Sequence, residues 1–124
     1  MEERPLITFF VVAFNQEAFV REAIAGAFAQ TWEPLQIVLS DDASKDGTFA
    51  IMEEMAAAYD GPHRVVLNRN PTNLGIGEHV NACMALAEGE LIVGSAGDDV
   101  SLPHRVQRLY EAWLASGKTA FSMD

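Results

Sequence analysis

Two pairs of adjacent aspartates are the residues of this sequence best suited to do chemistry. Asp98 and Asp99 follow the run "LIVGSAG", and Asp41 and Asp42 follow "LQIVLS". Adjacent carboxylates repel one another unless a cation lies beside them, and Mg²⁺ and Mn²⁺ take such oxygen ligands together with phosphate oxygens. The first pair therefore indicates a divalent metal site for a phosphate ester. A solvated turn beside a helix N-terminus explains the same pair equally simply.

The second pair is open to two interpretations as well. A carboxylate at a strand end can accept hydrogen bonds from a ribose hydroxyl or a base N–H, or it can belong to a turn that opens the next helix. Two more segments, "AFNQE" and "NPTNLGIG", are ordinary loops when each is taken alone. The sequence contains no Gly-rich phosphate loop, no Cys/His metal motif and no GxSxG nucleophile turn.

Strands and helices that would position these residues alternate along the chain. The apolar runs predicted as strands are "LITFFVVAF", "LQIVLS", "RVVLN" and "ELIVGS", with a further strand-like segment at "TAFSMD". Amphipathic helical stripes lie between them, and Ser101 is expected to cap the last helix. This alternation predicts an α/β fold, with a mainly parallel sheet of four or five strands and helices on both faces. The polar segments all follow strands, so we expect them to meet at one edge of the sheet.

Composition limits the classes of partner. The chain has 124 residues and a formal net charge of −10, which disfavours nucleic acid and anionic membrane surfaces. No apolar run approaches the roughly 20 residues of a membrane span, and the N-terminus lacks a signal pattern, so a cytoplasmic protein is expected. Cys83 is expected to pack in a core, whereas His79 and His104 are expected on helix surfaces without a chemical role.

The ordered series of motifs resembles the N-terminal half of a family 2 glycosyltransferase. The matching segments are "VVAFNQEAFVREAIAGAFAQTW", "IVLSDDASKDGT", "NPTNLGIGEHVNACMALAEGELI", "AGDD" and "PHRV". The resemblance implies a Rossmann-like GT-A fold. It also implies a nucleoside-diphosphate sugar donor, a Mg²⁺ or Mn²⁺ cofactor, and transfer, expected to be inverting, to a hydroxyl of a saccharide or other acceptor.

The same resemblance implies the site residues. Matched by position, the nucleotide-sugar-binding residues are Ala13, Phe14, Asn15, Glu17, Asp41, Asp42, Asn73, Gly75, Asn81 and Asp98. Asp98 and Asp99 are the implied metal ligands. The sequence departs from the family motifs at two positions: Ala96 stands where the metal motif has its first Asp, and Val80 stands where an Arg is usual.

The resemblance also sets expectations about extent and activity. We expect residues 1–124 to be the nucleotide-sugar-binding half of a GT-A domain truncated at its C-terminus, with the catalytic base, unknown here, supplied by the missing half. One alternative is a receiver-type phospho-signalling domain, although its acidic pair would follow the first strand, where this chain has Phe14 and Asn15. The other is a catalytically inactive glycosyltransferase-like binding module, suggested by Ala96.

Overall fold

The computed structural model describes residues 4–116. Strands and helices alternate in the order β1 (Ile7–Ala13), α1 (Val20–Phe28), β2 (Leu35–Asp41), α2 (Thr48–Ala58), β3 (Arg64–Arg69), α3 (Ile76–Leu86), β4 (Leu91–Ala96) and α4 (Arg105–Ala115). The predicted α/β alternation is confirmed. The further strand expected at "TAFSMD" lies outside the described residues.

The four strands form one parallel sheet in the order β3-β2-β1-β4. Ile7 of β1 is in register with Leu35 of β2 on one side and with Leu91 of β4 on the other. The chain therefore builds outward from β1 to β3 and then returns to place β4 against the free side of β1. In open α/β sheets, such a reversal leaves a crevice beyond the carboxyl ends of the two strands on either side of it, here β1 and β4, where ligands bind.

Helices cover both faces of the sheet, which explains why β1 and β2 are apolar along their whole length. One face packs against α1, α2 and α4 around a core that includes Phe9, Ile24 and Met52. The other face packs against α3 through a smaller cluster with Phe10 and Cys83. Cys83 is thus a core residue, as expected. Burial of each large side chain of this kind stabilises the fold by about 1.5–3 kcal/mol.

The last helix begins later than the sequence indicated. Ser101 was expected to cap it, but α4 begins at Arg105 with His104 in the capping position. The backbone of Ser101 instead packs closely against Gly26 of α1, where a Cβ would lie 2.9 Å from the Ser101 carbonyl oxygen. A glycine at position 26 is therefore needed for the chain before α4 to pass this close to α1.

None of the helices in residues 4–116 has the length and apolar character needed to span a membrane.

Candidate functional site

A cavity of about 430 Å³ lies in the crevice beyond β1 and β4. Segments that follow all four strands contribute to its lining, which consists of Val12, Ala13, Phe14, Gln16, Asp42, Asn73, Gly75, Ile76, His79, Ala96 and Asp98. The polar segments therefore meet at one edge of the sheet, as expected. Asp42 and Asp98, which belong to the two acidic pairs, face the same cavity.

Asp42 joins the loops that follow β2 and β3. Its Oδ1 accepts hydrogen bonds from Asn70 Nδ2 at 2.9 Å and from the Leu74 N–H at 2.8 Å, and its Oδ2 accepts the Gly75 N–H at 3.0 Å. Burial alone raises the pKa of this carboxyl, but the three hydrogen bonds and the nearby His79 ring outweigh burial and hold the pKa below its ordinary value of 3.8. Asp42 is therefore a charged acceptor on the cavity wall, with one acceptor position left on Oδ2.

Asp41 points away from the cavity and shapes the turn that follows β2. It is fully buried, and its carboxylate accepts the Ser44 N–H at 2.9 Å and the Ser44 hydroxyl. Arg69 of β3 places its Nε 3.5 Å from Asp41 Oδ2 and also donates to the Ser44 carbonyl oxygen at 3.1 Å. The first Asp of this pair thus fixes the loop, and the second Asp faces the cavity.

Asn15 and Glu17 connect the loop after β1 to the loop after β2. Asn15 Oδ1 accepts the Lys45 N–H at 2.9 Å, and the Asn15 N–H donates to Ser44 Oγ at 2.8 Å. Glu17 Oε2 accepts the Gly47 N–H at 2.9 Å. Both side chains use their oxygens within the protein, and neither lines the cavity.

Phe14, Asn73 and Gly75 surround the mouth of the cavity. Phe14 is 44% exposed although it directly follows the buried strand β1. Asn73 Nδ2 donates to the Asp42 carbonyl oxygen at 3.2 Å. Gly75 has a φ of +83°, a conformation that favours glycine, and this brings its N–H onto Asp42. Asn81 is exposed on α3 and does not line the cavity.

Asp98 and Asp99 are both exposed at the carboxyl end of β4. Within residues 4–116, neither carboxylate has a hydrogen-bond or ion-pair partner. Asp98 lines the cavity shared with Asp42, whereas Asp99 lines two neighbouring clefts. Two unpaired carboxylates fit Mg²⁺ or Mn²⁺, which complete their shells with phosphate and water oxygens. The described residues contain no cluster of three or more acidic, His or Cys side chains that could hold a metal by themselves.

Gly97 holds the acidic pair against β1. Its N–H donates to the Val12 carbonyl oxygen at 2.8 Å. A Cβ at this position would lie 2.6 Å from Gln16 Oε1 and 2.8 Å from Ala13 Cβ. A glycine is therefore needed for the loop after β4 to approach the loop after β1, and this contact brings Asp98 to the cavity.

Gln30 anchors the segment that follows the acidic pair. Its buried side chain donates from Nε2 to the carbonyl oxygens of Gly26 at 3.0 Å and Leu102 at 2.8 Å. Its Oε1 accepts the Val106 N–H at 3.0 Å. Every hydrogen-bonding group of this amide thus fastens the start of α4 to α1. Sequence reasoning missed Gln30, because Leu102 and Val106, its partners near the start of α4, lie more than seventy residues away along the chain.

His79 is buried, and the expectation that it lies on a helix surface was wrong. It is 2% exposed, lines the cavity and places Nε2 2.7 Å from Ser40 Oγ of β2. It lies four residues before Cys83, on the face of α3 that packs on the sheet. That i, i+4 spacing was a signal that could have predicted its burial. His104 is exposed, as expected.

A larger cleft, of about 560 Å³, lies on the other side of Asp99. It is lined by residues 99–105 together with Arg108 and Leu109. The loops directly after β1, β2 and β3 contribute no residue to this cleft. The loops that carry the candidate site residues therefore converge on the smaller cavity.

Comparison with known proteins agrees with this arrangement. A model of the family described as "Glycosyl transferase family 2" matches residues 8–123. EpsE from Bacillus subtilis (strain 168), whose name describes a glycosyltransferase, is 32% identical over 87% of this chain and 38% of its own length. The succinoglycan biosynthesis protein ExoO from Rhizobium meliloti (strain 1021) is 34% identical over 94% of this chain and 32% of its own length.

Solved structures show the same fold. The mannosyltransferase PcManGT from Pyrobaculum calidifontis, in complex with GDP-Man and Mn²⁺, superposes with a TM-score of 0.73 at 24% identity over 79% of this chain and 29% of its own. TarS 1-349 from S. aureus in complex with UDP gives a TM-score of 0.75 at 21% identity, and the match covers 88% of this chain and 32% of TarS 1-349.

The fold is thus that of GT-A glycosyltransferases, and the chain belongs to glycosyl transferase family 2. It spans between a quarter and two fifths of the length of the first curated relatives that it matches.

Proposed function

We propose that this chain forms the donor site of a glycosyltransferase that uses a nucleoside-diphosphate sugar and a divalent metal ion. The observation that carries the proposal is the shared cavity at the strand-order reversal. An exposed aromatic ring and a charged acceptor, Phe14 and Asp42, lie on its lining together with the unpaired carboxylate of Asp98. The three groups match the three parts of such a donor: a flat base, a polar ribose or base edge, and a diphosphate that needs a cation.

The nucleoside binds between the loops after β1, β2 and β3. Phe14 offers a ring face on which a base can stack, because a partly exposed aromatic ring gains apolar contact and stacking energy when a flat group covers it. The remaining acceptor position on Asp42 Oδ2 takes one hydrogen bond from the base or the ribose. Ala13, Asn73 and Gly75 complete this wall of the cavity.

The diphosphate binds toward Asp98 with the metal ion. A chain with a net charge of −10 repels a diphosphate unless a cation lies between the two. Asp98 supplies a carboxylate oxygen inside the cavity, and the adjacent Asp99, which lines the neighbouring clefts, supplies a second one. The metal, when bound, neutralises the diphosphate and stabilises it as the leaving group. The Mn²⁺ in the complex of PcManGT with GDP-Man supports this role.

Three residues of the implied donor site shape the cavity without contacting the donor. Asn15, Glu17 and Asp41 use their side-chain oxygens to connect or tighten the loops after β1 and β2. We therefore assign them a positioning role. Asn81 remains a prediction from the family motif, for which the cavity gives no support.

Sugar transfer to an acceptor hydroxyl, expected to be inverting, needs a general base on the side opposite the leaving diphosphate. Among residues 4–116, the carboxylates that line the cavity are Asp42 and Asp98, and both already have other roles. Glu111 is exposed on α4 and absent from that lining. We propose that the base comes from a part of the enzyme other than the described residues, and that the whole enzyme's acceptor is a saccharide or another hydroxyl compound.

Calorimetric titration tests the donor site. We expect UDP or GDP to bind with Mn²⁺ or Mg²⁺ present and to bind far more weakly with a chelator. Binding without any metal dependence would contradict the metal role, and absence of nucleotide binding under all conditions would contradict the donor site. A catalytically inactive binding module would bind the nucleotide equally well, but the longer enzyme containing this chain would then release no nucleoside diphosphate from a nucleotide-sugar.

A further inference from the structure

We infer that His79 is a nucleobase-binding residue that hydrogen-bonds the base of the donor through Nδ1. This inference rests on the proposed donor site and names a contact within it. His79 lies on α3 beneath the loop after β3, is 2% exposed, and lines the cavity together with Asp42. Its spacing from Cys83 indicates burial but gives no sign of a contact with a ligand.

One ring nitrogen of His79 is engaged inside the protein, and the other is open to the cavity. Nε2 lies 2.7 Å from Ser40 Oγ. Nδ1 has no hydrogen-bond partner within residues 4–116. Every side-chain nitrogen or oxygen of the described residues that is sealed from solvent has a hydrogen-bond partner, except Nδ1 of His63. Nδ1 of His79 has no partner and is not that exception, so it is not sealed from solvent. Nδ1 of His79 is therefore accessible, and the space that it can reach is the cavity that the residue lines.

The hydrogen bonds around Ser40 accommodate a proton on Nδ1. Asn68 Nδ2 donates to Ser40 Oγ at 2.9 Å, which leaves the Ser40 hydroxyl proton free to be donated to His79 Nε2. Burial lowers the pKa of His79 below 6.5, and the carboxylates of Asp42 and Asp41 oppose this effect only in part. With the Ser40 hydroxyl donating to Nε2, the neutral ring donates from Nδ1.

His79 and Asp42 together present one donor and one acceptor to a ligand. The edge of a nucleobase carries the complementary pair, an N–H for the acceptor and a carbonyl oxygen for the donor. Examples are the N3–H and the neighbouring carbonyl of uracil, and the N1–H and O6 of guanine. A phosphate is disfavoured at this end of the cavity, because Asp41 and Asp42 are both carboxylates and Asp42 is held ionised. The base is therefore the part of the donor that His79 contacts.

Two amide substitutions distinguish the contribution of Nδ1 from that of Nε2. His79→Gln places an amide near the position of Nε2 and keeps the contact with Ser40, whereas His79→Asn places an amide near the position of Nδ1 and keeps the group that faces the cavity. We expect His79→Gln to weaken binding of UDP or GDP with Mn²⁺ by about tenfold, the effect of one lost hydrogen bond. His79→Asn should recover most of that affinity.

Inorganic diphosphate with Mn²⁺ is the matched control ligand, because it lacks the base. Its affinity should be the same in wild type and in His79→Gln. A folded His79→Gln protein that binds UDP and GDP as tightly as wild type would overturn the inference. An equal loss of affinity for inorganic diphosphate would overturn it too, because a general distortion of the cavity would then explain the effect.

A spectroscopic measurement on the wild type covers the case in which His79→Gln does not fold. With ¹⁵N-labelled histidine and Mg²⁺, addition of UDP or GDP should shift the Nδ1 resonance of His79 more than its Nε2 resonance. An unchanged Nδ1 resonance at saturating nucleotide would overturn the inference. If the wild type binds no nucleotide, the donor site itself fails. If it binds nucleotide and the Nδ1 resonance and the His79→Gln affinity are unchanged, only the role of His79 fails.

Discussion

The carboxylate of Asp42 accepts the backbone N–H of Gly75 at 3.0 Å, and this bond ties the loop after β2 to the loop after β3. The left-handed backbone of Gly75 makes the contact possible. One side chain thus builds a wall of the cavity and keeps an acceptor position for a ligand. Stability and nucleoside binding should therefore be coupled at this residue.

Asp42→Ala should lower the free energy of unfolding by about 2 kcal/mol, because it leaves backbone N–H groups of the next loop without an acceptor. It should also weaken binding of the bare nucleosides uridine and guanosine, which carry no diphosphate. Urea denaturation and nucleoside titration measure the two effects. Asp60→Ala, at an exposed position outside the cavity lining, is the control. Unchanged nucleoside affinity in folded Asp42→Ala would refute the assigned contact.

The pH dependence of stability should carry a contribution from His79. Its pKa in the folded protein is below 6.5, mainly through burial, with Asp42 and Asp41 opposing the shift. The unfolded chain therefore takes up this proton at a higher pH than the folded chain does. The contribution of His79 to stability is complete above pH 6.5 and declines as the pH falls from 6.5 toward the folded value.

Thermal denaturation across this range can isolate that contribution. The melting temperature of wild type should fall more steeply below pH 6.5 than that of His79→Gln, since the other histidines are common to both proteins. Parallel curves would show that His79 takes up its proton equally well in the folded and unfolded chains.

Gly97→Ala should displace the loop that carries Asp98. The added methyl group would meet Gln16 Oε1 and Ala13 Cβ at less than 3 Å, so the loop must shift, at a cost of about 1–3 kcal/mol. Binding of nucleotide with Mn²⁺ should weaken as well. Gly77→Ala is the matched control: its Cβ would have no neighbour within 4 Å, and alanine in helix α3 should be neutral or stabilising. Equal behaviour of the two variants would contradict this account of Gly97.

Gln30→Met should loosen the start of α4 while keeping the length of the side chain. It removes the acceptor for the Val106 N–H and the donor to the Leu102 carbonyl, which should cost about 2–3 kcal/mol. Hydrogen exchange at the Val106 amide should become faster by a larger factor than at Phe9 in the core. Gln107→Met on α4 serves as the control, since Gln107 makes no side-chain hydrogen bond within residues 4–116. Unchanged protection of Val106 would remove the anchoring role.

The sequence predicted the features of this fold that depend on local pattern. Continuous apolar runs such as β1 predicted strands buried on both faces, and the position of each polar segment after a strand predicted one shared edge. The separation of Asp41 from Asp42 could not be predicted, because neighbouring residues on a strand end differ only in which way they point. Asp41 points into a turn closed by Arg69, a partner from another strand.

Contacts between distant residues account for the remaining differences. Asn15 binds the loop around Lys45, thirty residues away, and His79 binds Ser40, thirty-nine residues away. Nothing in the spacing along the chain marks such partners. A polar side chain that faces the backbone of another loop and one that faces a ligand have the same sequence signature, and only the assembled sheet distinguishes them.

Metal-dependent nucleotide binding by Asp98→Asn tests the central claim most directly. The variant should bind UDP or GDP at least about tenfold more weakly than wild type when Mn²⁺ is present, because a weakened metal site leaves the diphosphate facing uncompensated acidic side chains. Its melting temperature should stay close to that of wild type, since the Asp98 carboxylate forms no hydrogen bond or ion pair within residues 4–116. Asp60→Asn, with the same change of charge at an exposed position outside the cavity lining, should bind as wild type does. If Asp98→Asn and wild type bind the nucleotide equally well, both with Mn²⁺ and with a chelator, the cavity does not hold a metal-bound diphosphate at Asp98.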